Sequence, residues 1–325
     1  MRLAFILAAL LGSASAQTLI VGNKAEHTVS FVDLESGEEV VRRETGRFPH
    51  EIVVSPDGEQ VVVVSYRGPG FDGDELYRFD ARTAEPLGPV SLDGSKGPHG
   101  LKWIPNTDHV IVTTEITEDV VIIDPQRGRI RDRVKTDQQG SHMVAVSPDG
   151  LRAYVANIGS GTFTVIDIPA AKKLRDVKAG EQTEAIAISP SGQEIFVGNN
   201  GSKSVMIFDA ETLELRDTVE TEGIPIRIEI SPDGTLFAVS QPDRGNVVIY
   251  QVGDLQPAAT VELGEGTVPV TLLFSPEGDV LWAAATGAEK VFEIDMESFD
   301  ILHSFDVGQG SDGLGYAPGD VTPSE

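Results

Sequence analysis

A turn sequence that recurs along the whole chain is the strongest constraint on its fold. Its copies read SPDG, IPNT, SPDG, SPSG, SPDG, SPEG and APGD, with the prolines Pro56, Pro105, Pro148, Pro190, Pro232, Pro276 and Pro318. Successive prolines lie 49, 43, 42, 42, 44 and 42 residues apart. A regular period of this length indicates a repeat architecture, such as a solenoid or a propeller.

Each repeat consists of short stretches that are typical of β-strands. In the third copy MVAVS precedes the turn, and LRAYVAN, TFTVIDI and KLRDVKAG follow it. Such runs are rich in Val, Ile, Thr and aromatic residues and are bounded by Gly, Pro, Asp or Asn, which is the strand pattern. Four strands in about 42 residues are the signature of a propeller blade. We therefore predict an all-β, seven-bladed β-propeller with four strands per blade.

The two ends of the chain predict how the ring closes. The last repeat has only its first strand, near residues 312–316, while three further strands lie within residues 18–45, ahead of the first marker proline. We expect these N-terminal strands to complete the blade that the C-terminal strand begins. Closure of this kind removes exposed sheet edges.

The segments AYVAN and TFTVID, together with the SPDG turn, resemble the YVTN-type repeat. Over residues 17–320 the chain resembles the secreted YVTN/YncE-like seven-bladed propellers. This resemblance implies the fold. The architecture hosts enzymes, binding modules and cofactor-handling proteins alike, so the function has to be argued from the site.

The N-terminus predicts export. Residues 1–16 contain one arginine, a short apolar run and an A-x-A sequence, which is the pattern of a secretory signal peptide. We expect residues 17–325 to form a single propeller domain in the periplasm or outside the cell. The chain has no cysteine, which excludes thiol catalysis, cysteine-ligated zinc and haem attachment through C-x-x-C-H.

The net charge of −26 restricts the partners. Residues 17–325 carry 24 basic and 51 acidic residues, and such a surface repels nucleic acid and anionic membranes. We therefore expect a monomer with no nucleic-acid or membrane partner. A small-molecule ligand or a metal is the expected partner, and a periplasmic protein at the acidic rim is the alternative.

At one position of the repeat the residue type differs among the seven copies, and this variation indicates a functional site. Six residues before the marker proline, the seven copies carry His50, His99, His142, Glu184, Ile226, Val270 and Asp312. Three of the six histidines of the protein therefore occupy one equivalent position. Because the seventh blade adjoins the first, five ligand-type side chains are expected on one arc of the channel mouth.

Imidazoles combined with a carboxylate form a common ligand set for divalent metals. We predict His50, His99, His142 and Glu184 as ligands of Zn, Fe, Mn or Ni, with Asp312 binding a ligand beside them. Two alternatives remain. The rings could be hydrogen-bonded to neighbouring strands, or the polar mouth could bind an organic ligand without metal.

Three residues in nearby segments are further candidates. Arg67, in the long segment YRGPGFDGDE, is a predicted ligand-binding residue. Glu115 is expected close to His99 as a metal ligand or general base, with a solvated loop residue as the alternative. Arg227 either meets an anionic substrate or pairs with a carboxylate. The G-x-G-x-x-G pattern at residues 68–73 lacks the following helix that a dinucleotide site requires, so no nucleotide cofactor is expected.

Three functions are compatible with these residues. The first is an exported propeller that binds a small ligand, a divalent metal or both. The second is a metal-dependent hydrolase or lyase, lactonase-like or acting on acidic sugars, that uses the same histidines. The third is a protein-interaction scaffold without metal.

Overall fold

The repeats fold into a ring of seven four-stranded antiparallel sheets, as predicted. The computed structural model describes residues 17–323, and the predicted signal peptide lies outside them. No helix in these residues is long and apolar enough to cross a membrane.

In six of the blades the four strands follow one another along the chain, from the channel to the outer edge, and blade seven combines strands from both ends of the described residues. Blade one contains β4 (Pro49–Val54), β5 (Gln60–Gly68), β6 (Phe71–Asp80) and β7 (Pro86–Ser91). Blade two contains β8 (Pro98–Trp103), β9 (Val110–Thr114), β10 (Asp119–Asp124) and β11 (Arg129–Lys135). Blade three contains β12 (Ser141–Val146), β13 (Arg152–Asn157), β14 (Thr162–Asp167) and β15 (Lys172–Lys178).

The other four blades have the same arrangement. Blade four contains β16 (Thr183–Ile188), β17 (Glu194–Asn199), β18 (Ser204–Asp209) and β19 (Leu215–Glu220). Blade five contains β20 (Arg227–Ile230), β21 (Leu236–Gln241), β22 (Asn246–Gln251) and β23 (Pro257–Glu262). Blade six contains β24 (Pro269–Phe274), β25 (Val280–Ala285), β26 (Lys290–Asp295) and β27 (Ile301–Asp306). Blade seven contains β28 (Ser311–Pro318), β1 (Gln17–Asn23), β2 (Thr28–Asp33) and β3 (Glu39–Glu44).

Blade seven closes the ring in the predicted way. The C-terminal strand β28 pairs antiparallel with the N-terminal strand β1, with Leu19 opposite Tyr316. Beyond the end of the ladder, the Thr18 hydroxyl donates a hydrogen bond to the carbonyl oxygen of Gly319 at 2.9 Å. The two ends of the chain therefore hold one sheet together.

The hydrophobic core lies between neighbouring blades. Alternate strand residues of adjacent sheets face one another, and their aromatic rings pack edge-to-face, as between Phe163 in blade three and Phe208 in blade four at 5.0 Å. The repeated SPDG turn stabilises itself locally. In blade three the Ser147 hydroxyl donates to the Asp149 carboxylate, which also accepts the amide of Leu151. This ring of similar sheets fixes the first strands around a central channel.

A β-bulge near the start of the first strand shapes one end of this channel. In blade one the pairing passes from Pro49 opposite Ser65 to Ile52 opposite Val63, so β4 has one extra residue. The first strands of blades two, three, four, six and seven have the same irregularity. A bulge changes the direction of the side chains that precede it. The residues six before the marker proline therefore point to the end of the channel, called here the channel mouth, and not between blades.

Candidate metal centre

Three histidines lie side by side at the channel mouth. The ring centroids of His50 and His99 are 4.1 Å apart, and those of His99 and His142 are 3.6 Å apart. The exposed fractions of His50, His99 and His142 are 8%, 2% and 8%. These three residues, called here the histidine cluster, come from the first strands of blades one, two and three.

Two glycines allow the first strands to approach closely beside this cluster. A Cβ atom on Gly100 would lie 2.5 Å from the carbonyl oxygen of His142, and one on Gly313 would lie 1.7 Å from that of His50. No side chain fits at either distance. Gly100, which follows His99, therefore allows β8 and β12 to approach closely enough for the rings of His99 and His142 to touch.

We expect Gly100→Ala to weaken metal binding at the cluster about tenfold or more, although it removes no ligand. The added methyl group separates β8 from β12 and moves His99 relative to His142. A chelator-competition titration measures the effect. The matched control is Gly253→Ala, because a Cβ atom there meets no other atom within 4 Å. Equal affinity in both variants would contradict this packing role.

Carboxylates flank the cluster on both sides. Nδ1 of His142 is hydrogen-bonded to Oε1 of Glu115, and its Nε2 lies 3.3 Å from Oε1 of Glu184. On the other side, Nε2 of His50 lies 3.4 Å from Oδ2 of Asp312. Both outer histidines therefore have a carboxylate beside them, which stabilises a proton or a metal ion on the imidazole.

The central histidine has no such partner. Among residues 17–323, Nδ1 of His99 is buried without a hydrogen-bond partner, and Nδ1 of His50 likewise forms no hydrogen bond, although it lies 3.4 Å from Oε1 of Glu51. Leaving a buried polar atom without a partner costs about 1–3 kcal/mol. Two adjacent imidazole nitrogens in this condition are positions at which an ion would supply the missing interaction.

The ligand-type atoms form two overlapping groups of buried residues. One consists of His50, Glu51 and His99, and the other of His99, Glu115 and His142. Within each group the ligand atoms lie within 4.8 Å of one another. Ligand atoms that share one zinc ion are at most about 4.4 Å apart, so small side-chain rotations suffice to enclose an ion. The first group contains the unpartnered nitrogens.

The protonation states favour the first group. Burial, together with the charges on His142 and His50, lowers the pKa of His99 well below its ordinary value, so His99 is neutral, as a metal ligand must be. Burial opposes a charged His142, but hydrogen bonds to Glu115 and Glu184 prevail and raise its pKa to about 9. In the metal-free protein His142 therefore holds a proton at neutral pH.

We expect the imidazole of His142 in the metal-free protein to titrate near pH 9 in an NMR experiment. Its pKa in the folded protein lies above the ordinary value of about 6.5. The stabilisation from its ion pairs is thus complete below about pH 6.5 and is lost as the pH rises through about 9, by on the order of 3 kcal/mol. A titration midpoint at or below pH 6.5 would contradict this assignment.

A long hairpin of blade one covers one side of the cluster. Strands β5 and β6 remain paired as far as Gly68 and Phe71. The Tyr66 hydroxyl donates to Oε2 of Glu115 at 2.7 Å, and the guanidinium of Arg67 lies 3.2 Å from the same oxygen. The predicted ligand-binding residue Arg67 therefore reaches the cluster through Glu115, and about half of its side chain is exposed.

A buried ion pair crosses the channel below the cluster. Arg227 of blade five donates to Oε1 of Glu51 in blade one at 2.6 Å, and to the hydroxyl of Thr271 at 3.1 Å. Burial raises the pKa of Glu51, but the charge of Arg227 outweighs it and holds the pKa well below the ordinary range. Of the two roles predicted for Arg227, the structure has the pairing with a carboxylate.

The structure brings the predicted site residues into one contact network: His50, His99, His142, Glu184, Asp312, Glu115, Arg67 and Arg227. Glu115 lies in one ligand group with His99, as expected, and its hydrogen bond goes to His142. Glu184 is in neither ligand group, and its other oxygen accepts a hydrogen bond from Asn200.

Three residues of the site were not predicted from the sequence. Glu51 directly follows His50, at a position where a simple strand alternation would point it away from its neighbour. Tyr66 packs edge-on against His99 at 4.7 Å, and Lys24 lies 3.3 Å from Asp312. Of these three residues, only Glu51 could have been recognised from the sequence, because it is a charged residue inside an otherwise apolar first strand.

The ring and its histidine cluster define a seven-bladed propeller with a candidate metal centre at the channel mouth. The family model of the cytochrome D1 heme domain matches residues 105–317, and that of the 7-bladed β-propeller lactonases matches residues 4–179. Each covers more than half of the chain, and the chain belongs to the propeller families that they describe. The narrower YVTN/YncE-like affiliation stays a prediction.

A solved structure supports the fold at low sequence identity. The hydrazine synthase of Kuenenia stuttgartiensis is 21% identical, with a TM-score of 0.70 over 81% of this chain and 87% of that one. No curated protein sequence matches the chain.

The histidine cluster does not fit a haem, the group named in one of these family descriptions. An axial histidine must present a free nitrogen to the iron at the centre of a flat macrocycle. Both nitrogens of His142 face carboxylates, and the free nitrogen of His99 is buried beneath neighbouring rings. The donor set of imidazoles and carboxylates suits a single ion instead.

Proposed function

We propose that this protein is an exported β-propeller that binds one divalent transition-metal ion at the channel mouth, with His50, His99 and Glu51 as ligands. The observation that carries the proposal is the pair of buried, unpartnered Nδ1 atoms of His50 and His99 beside the carboxylate of Glu51. His142 adjoins His99 and can add a third imidazole once it gives up its proton.

The ligand set and its surroundings suit a functional metal. Two imidazoles and a carboxylate form a three-ligand set that leaves a coordination position open, as in catalytic zinc sites and non-haem iron sites. Arg227 holds Glu51 in place through a direct hydrogen bond, and such outer partners orient ligating carboxylates. We infer that the open position takes a small-molecule ligand, with Arg67 at the rim and Asp312 beside His50.

A second candidate function is the metal-dependent hydrolysis of a lactone. It is favoured by the lactonase match over residues 4–179, which includes all three histidines. A metal would polarise the carbonyl group or lower the pKa of water. Burial raises the pKa of Glu115, but its hydrogen bond with His142 prevails and lowers it, so Glu115 is ionised beside the cluster at neutral pH.

Sequence features support a location and an assembly state. The signal-peptide pattern of residues 1–16 supports export to the periplasm or the medium. The acidic surface supports a monomer in solution without nucleic-acid or membrane partners. Cleavage after Ala16 on secretion, shown by mass spectrometry, tests this part of the proposal.

Metal quantification tests the central part. Protein purified without an affinity tag is loaded separately with Zn²⁺, Fe²⁺, Mn²⁺ and Ni²⁺, freed of excess ion and analysed for bound metal. We expect about one ion per chain for at least one metal, and none in the variant carrying His50→Ala, His99→Ala and His142→Ala. Absence of retained metal in the wild-type protein after every loading would contradict the proposal. Turnover of lactones by the loaded protein then separates hydrolase from binder.

A further inference from the structure

The channel has a second half on the far side of the ion pair between Arg227 and Glu51. It forms a cavity of about 450 Å³. The cavity is also lined by Pro232, Ser275 and Pro276 of the repeated turns, so it reaches towards the face opposite the histidine cluster. Its size lies in the range of small-molecule sites, about 300–1,000 Å³.

Two opposite charges line this cavity without pairing. Lys102 lies on β8 in blade two, and Glu229 lies on β20 in blade five. Both are three residues before the marker proline, where the other blades carry Val53, Ala145, Ala187, Leu273 and Gly315. The described residues offer neither side chain a hydrogen bond or an ion pair within 4 Å. The repeat alone gives no reason for charges at these two positions.

A third polar group in the lining lacks a partner. Nε of Arg227 is buried and forms no hydrogen bond, although the other nitrogens of that guanidinium are engaged. Burial raises the pKa of Glu229, and the nearby charge of Lys102 only partly opposes this. Lys102 and Glu229, both partly exposed, thus face the same space without a direct partner in the described part of the chain, and a ligand with charges of both signs would supply one for each.

The remaining walls are apolar and aromatic. Trp103 and Tyr316 contribute ring surfaces, and Leu273 and Phe274 contribute apolar side chains. The indole nitrogen of Trp103 already donates to the carbonyl oxygen of Thr107 at 2.9 Å. The Trp103 ring therefore needs no hydrogen bond from a ligand. A ligand for this cavity has a compact apolar part and charges of both signs.

We propose that this half of the channel binds a small zwitterion with the chemistry of an amino acid, its carboxylate at Lys102 and its ammonium group at Glu229. Lys102 and Glu229 lie on blades two and five of the ring, so one molecule bridges the channel between them. The site shares Glu51 and Arg227 with the metal centre as its wall, but the contacts proposed at Lys102 and Glu229 do not require a metal there.

The test is calorimetric titration with two zwitterions of different charge spacing, L-leucine and 5-aminopentanoate. We expect at least one to bind the wild-type protein, and Lys102→Met and Glu229→Gln each to weaken that binding about tenfold or more. Pentanoate and pentylamine, which carry one charge each, should bind at least about tenfold more weakly than the zwitterion. Metal content should be the same in all these variants, which separates this site from the metal centre.

The matched controls remove one charge of each sign at exposed loop positions. Lys96→Met and Glu265→Gln should bind the zwitterion with the affinity of the wild-type protein, since both residues are exposed outside the channel. The proposal is overturned if neither zwitterion binds the folded protein. It is also overturned if the single-charge analogues bind equally well, or if the two channel variants bind like the controls.

Discussion

His99→Ala should lower the bound metal from about one ion per chain to less than a tenth of that value. His99 belongs to both ligand groups, and its buried Nδ1 has no hydrogen-bond partner among the described residues. Its removal therefore leaves neither group complete. Loading followed by elemental analysis measures the effect, and differential scanning calorimetry shows whether the melting temperature still rises with added metal.

The control for this variant is His303→Ala, which removes an exposed histidine on the outer strand of blade six. It should bind metal like the wild-type protein. Equal metal content in the two variants would show that the ion, if bound, lies elsewhere. A folded His99→Ala protein is expected, because the packing lost is that of one imidazole against the rings of His50, His142 and Tyr66.

Arg227→Met should destabilise the metal-free protein by about 3–5 kcal/mol. The substitution leaves Glu51 charged, buried and without its cationic partner, and removing one member of a buried ion pair is far more costly than removing both. Chemical unfolding in the presence of a chelator measures the change. Adding metal should restore part of the loss, since an ion at Glu51 replaces the missing positive charge.

The double variant Arg227→Met with Glu51→Leu distinguishes an electrostatic effect from a packing effect. It removes both charges and should be at least about 2 kcal/mol more stable than Arg227→Met alone. Equal stability of the single and double variants would contradict a dominant role for the unpaired carboxylate.

The sequence alone was enough to predict the ring, because its evidence is local and repeated. The spacing of the marker prolines defined seven units, and the incomplete last unit showed that the N-terminal strands had to complete it. The same alignment placed His50, His99 and His142 at one position of the repeat. In a propeller, residues at the same position of neighbouring first strands lie close together around the channel. Their shared position in the repeat thus predicted their contact across three blades.

The rest of the site depends on features that the repeat does not encode. The bulges of the first strands change which side chains reach the channel mouth, so the place of Glu51 could not be obtained from simple alternation. Its partner Arg227 lies 176 residues further along the chain. The hydrogen bond of Glu115 with His142 joins the loop after β9 to β12, and the repeat does not specify which neighbouring side chain that loop residue meets.

The most direct test of the metal centre is a crystal structure of the metal-loaded protein, with anomalous diffraction recorded at the absorption edge of that metal. We expect one strong peak about 2.0–2.2 Å from imidazole nitrogens of His50 and His99 and from a carboxylate oxygen of Glu51. A peak at any other site, or no peak in crystals of the loaded protein, would contradict a metal centre at the channel mouth.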